Sequence, residues 1–193
     1  MIARERDAAA RAAWREAMAD VAPAELVFLD ETATPTTLAP LRAWAPRGER
    51  AVGSVPRRHR QHASWLATLT PTGIGPSVVV EGAVDRPAFE AFVAQVLVPE
   101  LRPGQVVVLD NLSVHQSATA RRLIEAAGGR LVFLPTYSPD FNPIEQAFAK
   151  CKQALRRLAP RSFDAVVGAV GTALATITPT DAAAFFAAAG YSL

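Results

Sequence analysis

Cysteine is almost absent from this chain of 193 residues: the single Cys151 excludes an intramolecular disulfide and argues against a cysteine-based zinc site. Lysine is nearly as scarce, with two against eighteen arginines, so the cationic surface is one suited to bidentate phosphate contacts. The formal net charge is only +2, which permits a polyanionic partner without requiring one. No apolar run approaches the roughly 20 residues of a membrane span. The opening MIARERDAAARAAWREAM also lacks the compact apolar core of a secretory signal, so no membrane partner and a cytoplasmic location are expected. There is no GxxxxGK[ST] loop, no HExxH and no GxSxG. Their absence argues against a nucleotide cofactor held by a phosphate loop, against metalloprotease chemistry and against a nucleophile elbow.

Half of the residues are hydrophobic and a fifth are charged, an ordinary globular balance. With no internal repeat and no low-complexity linker, the length fits one domain with a substantial core. Residues 4–20 read as a helix with a thin apolar face, Trp14 and Met18, ending before Pro23. We therefore separate residues 1–24, a helix and linker, from a domain over 25–193.

Three short apolar runs read as buried strands: ELVFLDET at 25–32, QVVVLDNLSVH at 105–115 and RLVFLP at 130–135. The first is expected to stop at Asp30 and Glu31. HASWLATLTPTGIGPSVVVEG reads as two further strands joined at 71–75, forming an antiparallel meander with the first. Helices are expected after Asp85, over ATARRLIEAAGG, over the segment following Asn142, over 162–177, and from Thr178 onward. The order of elements describes an α/β domain. Between the first two strands, residues 33–62 carry Arg42, Arg47, Arg50, Arg57, Arg58 and Arg60 against one acid, Glu49, with Trp44, His59 and His62 interleaved. Such a run is either a solvated loop or a phosphate-binding arm.

The chemistry converges on three carboxylates. Asp30 and Asp110 are each the first polar residue after a buried run, which places them at the carboxyl edge where open α/β sheets hold ligands. If the two strands are parallel neighbours, about 4.8 Å separates their backbones. Glu145 follows Asn142 and Pro143, which read as N-cap and first helical residue, so Glu145 serves equally as half of a capping box or as a third ligand. Ile144, Phe148, Cys151, Leu155 and Leu158 form the inward stripe of that helix, while Lys152 and Arg156 continue the face of Glu145 toward phosphates. A carboxylate-only set selects Mg²⁺ or Mn²⁺. Two such ions roughly 3.5 to 4 Å apart clamp the attacking and leaving oxygens of a phosphoryl transfer.

FLDET, VVVLDNLSVH and LPTYSPDFNPIEQAF together resemble the catalytic domain of DDE transposases, in particular the mariner-like superfamily and its bacterial insertion-sequence branch. The 34 residues between Asp110 and Glu145 match the spacing of that group, and the resemblance runs over about 25–193. It implies a ribonuclease H-like fold: a five-stranded mixed sheet, three antiparallel strands then two parallel, flanked by helices. It implies Asp30, Asp110 and Glu145 as catalytic, metal-binding residues, with Glu31, Asn111, His115, Tyr137 and Asn142 shaping the site. Ser138, Pro139 and Pro143 also match the family's signature. Cleavage of DNA at transposon ends, strand transfer into target DNA and a homodimer at least in the DNA complex follow as expectations, with the arginine-rich insertion reaching DNA or a partner subunit. In the family a helix-turn-helix region precedes the domain. Only some two dozen residues precede the first strand here, which reads as a catalytic domain, the product of a split frame or a shortened chain. Two other functions use the same residues: a DNA-binding remnant that no longer cuts, and another ribonuclease H-like nuclease acting on hybrids or junctions.

Overall fold

The computed structural model describes residues 6–40, 42–54 and 62–191. Its sheet has five strands in the order β3-β2-β1-β4-β5: β1 Leu26–Pro35, β2 His62–Thr70, β3 Gly73–Glu81, β4 Val106–Leu109 and β5 Arg130–Phe133. β1, β2 and β3 pair antiparallel, as the sequence leads one to expect, whereas β1, β4 and β5 run parallel, as the family resemblance implies. The helices are α1 Ala8–Met18, α2 Arg86–Phe92, α3 Ala118–Ala126, α4 Ile144–Leu158, α5 Phe163–Leu174 and α6 Pro179–Ala188. Among the described residues no single helix is long and apolar enough to cross a membrane.

Alternation along the central strands explains why both faces are covered. Leu26 and Phe28 of β1 and Val106 and Val108 of β4 enter one core with residues of α1, α4, α5 and α6. Val27, Leu29, Val107 and Leu109 enter the opposite core with residues of α2 and α3. Successive side chains of a strand point to opposite faces, so Asp30 belongs to the α4 side and Glu31 turns toward the other. A strand buried on both faces reads as a continuous apolar run, which is why β1 and β4 were legible.

β1 does not stop at Asp30. It continues to Pro35, paired with β2 through Pro35 and His62, while its parallel pairing with β4 ends at Phe28 and Val108. The cause is a second alternation beyond the acids: Thr32, Thr34 and Thr36 are all buried, and Trp65 Nε1 donates to Thr34 Oγ1 at 3.3 Å. β-branched threonines suit a half-buried pleat as well as valine does. Asp30 therefore sits at a fork, where β1 keeps one neighbour and loses the other.

The helix expected after Asp85 is broken. α2 gives way to a π-helical turn at Val93–Leu97 and a 3₁₀ turn at Val98–Glu100, with Pro99 lacking the donor an α-helix needs. α1 is better anchored than its thin stripe suggests, since Trp14 and Met18 are buried in the larger core. In the basic segment Arg42, Arg47 and Arg50 are exposed on irregular chain; Arg57, Arg58, His59 and Arg60 lie outside the described residues. Arg161 ties the start of that segment to the α4–α5 connection, donating to the carbonyls of Thr36 and Leu38 at 3.1 and 2.8 Å.

Candidate active site at the carboxyl edge of the sheet

Extending the parallel register of β1 and β4 by two residues brings Asp30 level with Asp110. Asp110 has the parity of Val106 and Val108, so both aspartates face the side on which α4 packs. Glu145 lies in the first turn of α4. All three carboxylates line one cavity of about 320 Å³, with Asn111, Leu112 and Asn142 among its walls.

The three acids differ in setting. Asp30 is buried at 6% exposure. Its Oδ1 accepts from the Glu31 N–H at 2.7 Å and its Oδ2 from Asn142 Nδ2 at 2.8 Å. Burial, followed by the charge of Asp110, pushes its carboxyl up to about 7 despite those bonds. Asp110 is about a third exposed, and both of its hydrogen bonds fall on Oδ1, from His115 Nδ1 at 2.5 Å and from the Leu112 N–H at 3.2 Å. No hydrogen bond among the described residues falls on Oδ2. His115 is fully buried against Phe89, with ring centroids 4.9 Å apart. Glu145 is exposed.

The capping box expected around Glu145 is not formed. No side chain caps α4, and the Asn142 amide is turned inward to Asp30 instead. Nδ2 donates to the buried Asp30 carboxyl, a stronger bond than one to a neutral, solvated partner, and this orientation leaves Asn142 Oδ1 without a partner among the described residues instead of on a helix N–H. The inward stripe of α4 is Ile144, Ala147, Phe148, Cys151 and Leu155; Leu158, expected on it, is exposed. Cys151 is packed in the core, and burial pushes its thiol up to about 11.

Of the remaining expected residues, Asn111 and Tyr137 line the cavity, whereas Glu31 and His115 stand behind Asp30 and Asp110. Tyr137 holds φ at +54° with its ring exposed, a left-handed conformation that strains a bulky side chain. Lys152 and Arg156 are half-buried and do not line the cavity, and Arg156 Nε is buried without a partner among the described residues. Sequence reasoning missed Leu112 and Leu134 as cavity walls. It also missed Asp140, whose partner Arg11 is 129 residues away and carries no local signal.

The donor chemistry fits a hard divalent cation. Three carboxylates and the buried Asn142 Oδ1, which has no partner among the described residues, supply only oxygen. Among the described residues, however, no three His, Cys, Asp or Glu side chains stand close enough together to hold an ion as they are. The donors share a cavity and still have to converge.

This strand order, with helices on both faces and acids at the carboxyl edge, defines a ribonuclease H-like fold. A family model described as DDE superfamily endonuclease matches residues 25–166, and the chain belongs to that family. Among solved structures, the Mos1 transposase paired-end complex with left transposon end is similar at 13% identity and a TM-score of 0.77, covering 96% of this chain and 60% of that one. The Mos1 mariner paired end complex with Mn gives 14% identity, a TM-score of 0.72 and coverages of 97% and 61%. The catalytic domain of Mos1 mariner transposase gives 13%, 0.65, and 93% and 84%. The chain thus spans 55–61% of the proteins in the Mos1 complexes and most of the isolated domain. A comparison with curated protein sequences finds no match.

Proposed function

We propose that this protein is the catalytic domain of a transposase, a metal-dependent endonuclease and strand transferase acting on the ends of a DNA element. The observation that carries the reading is the cavity shared by Asp30, Asp110 and Glu145, in a chain of the DDE endonuclease family. The three carboxylates would hold Mg²⁺ or Mn²⁺, ions with which Mos1 paired-end complexes have been solved. Two such ions bound there would supply activation of a water or a 3′-hydroxyl and neutralisation of charge at the phosphate. Asn142 fixes the rotamer of Asp30 through Oδ2, and His115 engages Oδ1 of Asp110, which would leave Oδ2 for an ion. Glu31 contributes its N–H to Asp30, while Tyr137 and Asn111 shape the walls against which DNA lies. Arg42, Arg47, Arg50, Arg57, Arg58 and Arg60 supply phosphate contacts, with Lys152 and Arg156 of α4 adding to them. By analogy with the Mos1 paired-end complexes, two copies join two element ends.

Nicking of supercoiled plasmid tests the proposal without knowledge of the element's ends. Mn²⁺ or Mg²⁺ should support nicking, and Asp30→Ala, Asp110→Ala and Glu145→Ala should each abolish it. Full activity in any one variant removes that residue from the site. DNA binding that survives in chelator, with no metal-stimulated cleavage of any substrate, would instead identify a DNA-binding remnant. Preference for RNA–DNA hybrids or junctions would identify another nuclease of this fold.

A further inference from the structure

The 3₁₀ turn Pro139–Phe141 delivers Asn142 to Asp30 and leads into the helix that carries Glu145. The turn has little to hold it internally. Phe141 N–H donates to Ser138 O and Asn142 N–H to Pro139 O, each at 3.0 Å, while Pro139 and Pro143 have no N–H to give. Its fixation comes from behind, from both ends of the described chain. Arg11 of α1, only 9% exposed, spans both oxygens of Asp140 at 3.0 and 2.6 Å, and Arg6 adds a contact at 3.0 Å. The same Arg11 guanidinium lies 3.8 Å from the centroid of the Phe141 ring. From the other end, Tyr191 OH donates to Phe141 O at 2.8 Å, and its ring packs on Phe28, two residues before Asp30.

We propose that this clamp is a positioning device for the site, with Arg11 and Asp140 as positioning residues that set Asn142 against Asp30. The inference rests on the reading of the three carboxylates given above. Phe141, gripped from outside, and Asn142, bonded inside, are adjacent, so one peptide unit transmits the constraint. Planar, bidentate pairing fixes orientation as well as distance, which an ammonium cannot do. Asp140 is half exposed, at 51% for its side chain, so solvent screens the pair and its contribution to global stability is small. What the clamp contributes is geometry: a misplacement of about 1 Å in a catalytic constellation costs roughly 100-fold in rate.

The test compares wild type with Arg11→Lys, which keeps the charge and loses the fork, and with Asp140→Asn. Amide hydrogen exchange over residues 141–146, measured without metal or DNA, should quicken at least several-fold in both variants while the thermal midpoint moves little. In Mn²⁺-dependent nicking, kcat should fall roughly 10- to 100-fold, with KM for DNA unchanged. In an Asn142→Ala background the same substitutions should cost nothing further. Unchanged exchange overturns the proposal, as does a kcat loss that adds to that of Asn142→Ala. Should the wild type show no nicking with either metal, the site reading fails and the exchange measurement alone decides the clamp.

Discussion

Asp30→Asn should stabilise the metal-free protein at alkaline pH while abolishing the proposed activity. The carboxyl titrates near 7 in the folded chain and near 3.9 when unfolded. Between those values the folded state holds a proton that the unfolded state has released, so stability falls as pH rises through the window. Across about three pH units at about 1.36 kcal/mol each, ionised Asp30 costs at most roughly 4 kcal/mol by pH 8. Asparagine removes that charge, but it offers one oxygen to two donors, the Glu31 N–H and Asn142 Nδ2. Leaving one donor without a partner costs about 1–3 kcal/mol. The net gain at pH 8 is therefore roughly 1–3 kcal/mol, or about 2–10 °C in midpoint for a chain of this size. At pH 4 the wild-type carboxyl is neutral, and the variant should be no more stable than wild type. The assay is thermal unfolding of both proteins by circular dichroism from pH 4 to 8 in chelator, repeated with Mn²⁺. Bound cations relieve the repulsion that Asp30 feels, so Mn²⁺ should narrow the gap at pH 8. A difference between the two proteins that does not change with pH would refute the reasoning.

Two substitutions away from the acids test the packing. Gly129→Ala would bring a Cβ to 2.8 Å from Leu101 Cδ2 and 3.3 Å from the Gln105 carbonyl, so denaturant unfolding should show a loss of about 1–3 kcal/mol; nicking per folded molecule should be unchanged. Ala159 closes α4 at φ +47°. Glycine there should remove the left-handed penalty and return a net gain of roughly 0.5–1 kcal/mol after its larger unfolded-state entropy, read as a higher denaturation midpoint.

Local patterns determined much of this molecule. The runs LVFL and VVVL are apolar on both pleats, which only a strand covered on both faces requires, and the aspartates ending them mark the sheet's carboxyl edge. Asp85, Ser117, Ser162 and Thr178 cap the helices expected to follow them, because capping is an interaction between residues two or three apart. The 34-residue interval and the turn LPTYSPDFNPIE named the family because both are properties of order along the chain.

Tertiary structure decided what depends on neighbours. β1 runs past Asp30 because β2 continues to pair with it, and no alternation within FLDET reveals a partner more than thirty residues on. Whether Asn142 turns its Oδ1 to cap its own helix or its Nδ2 to Asp30 depends on a carboxylate 112 residues upstream, whose bond to Nδ2 orients the whole amide. Arg11 could not be matched to Asp140 from composition, because ion pairs leave no periodic trace in a sequence. The sequence supplied the three acids and their order; only the packing of α4 across the end of β1 and β4 made them walls of one cavity.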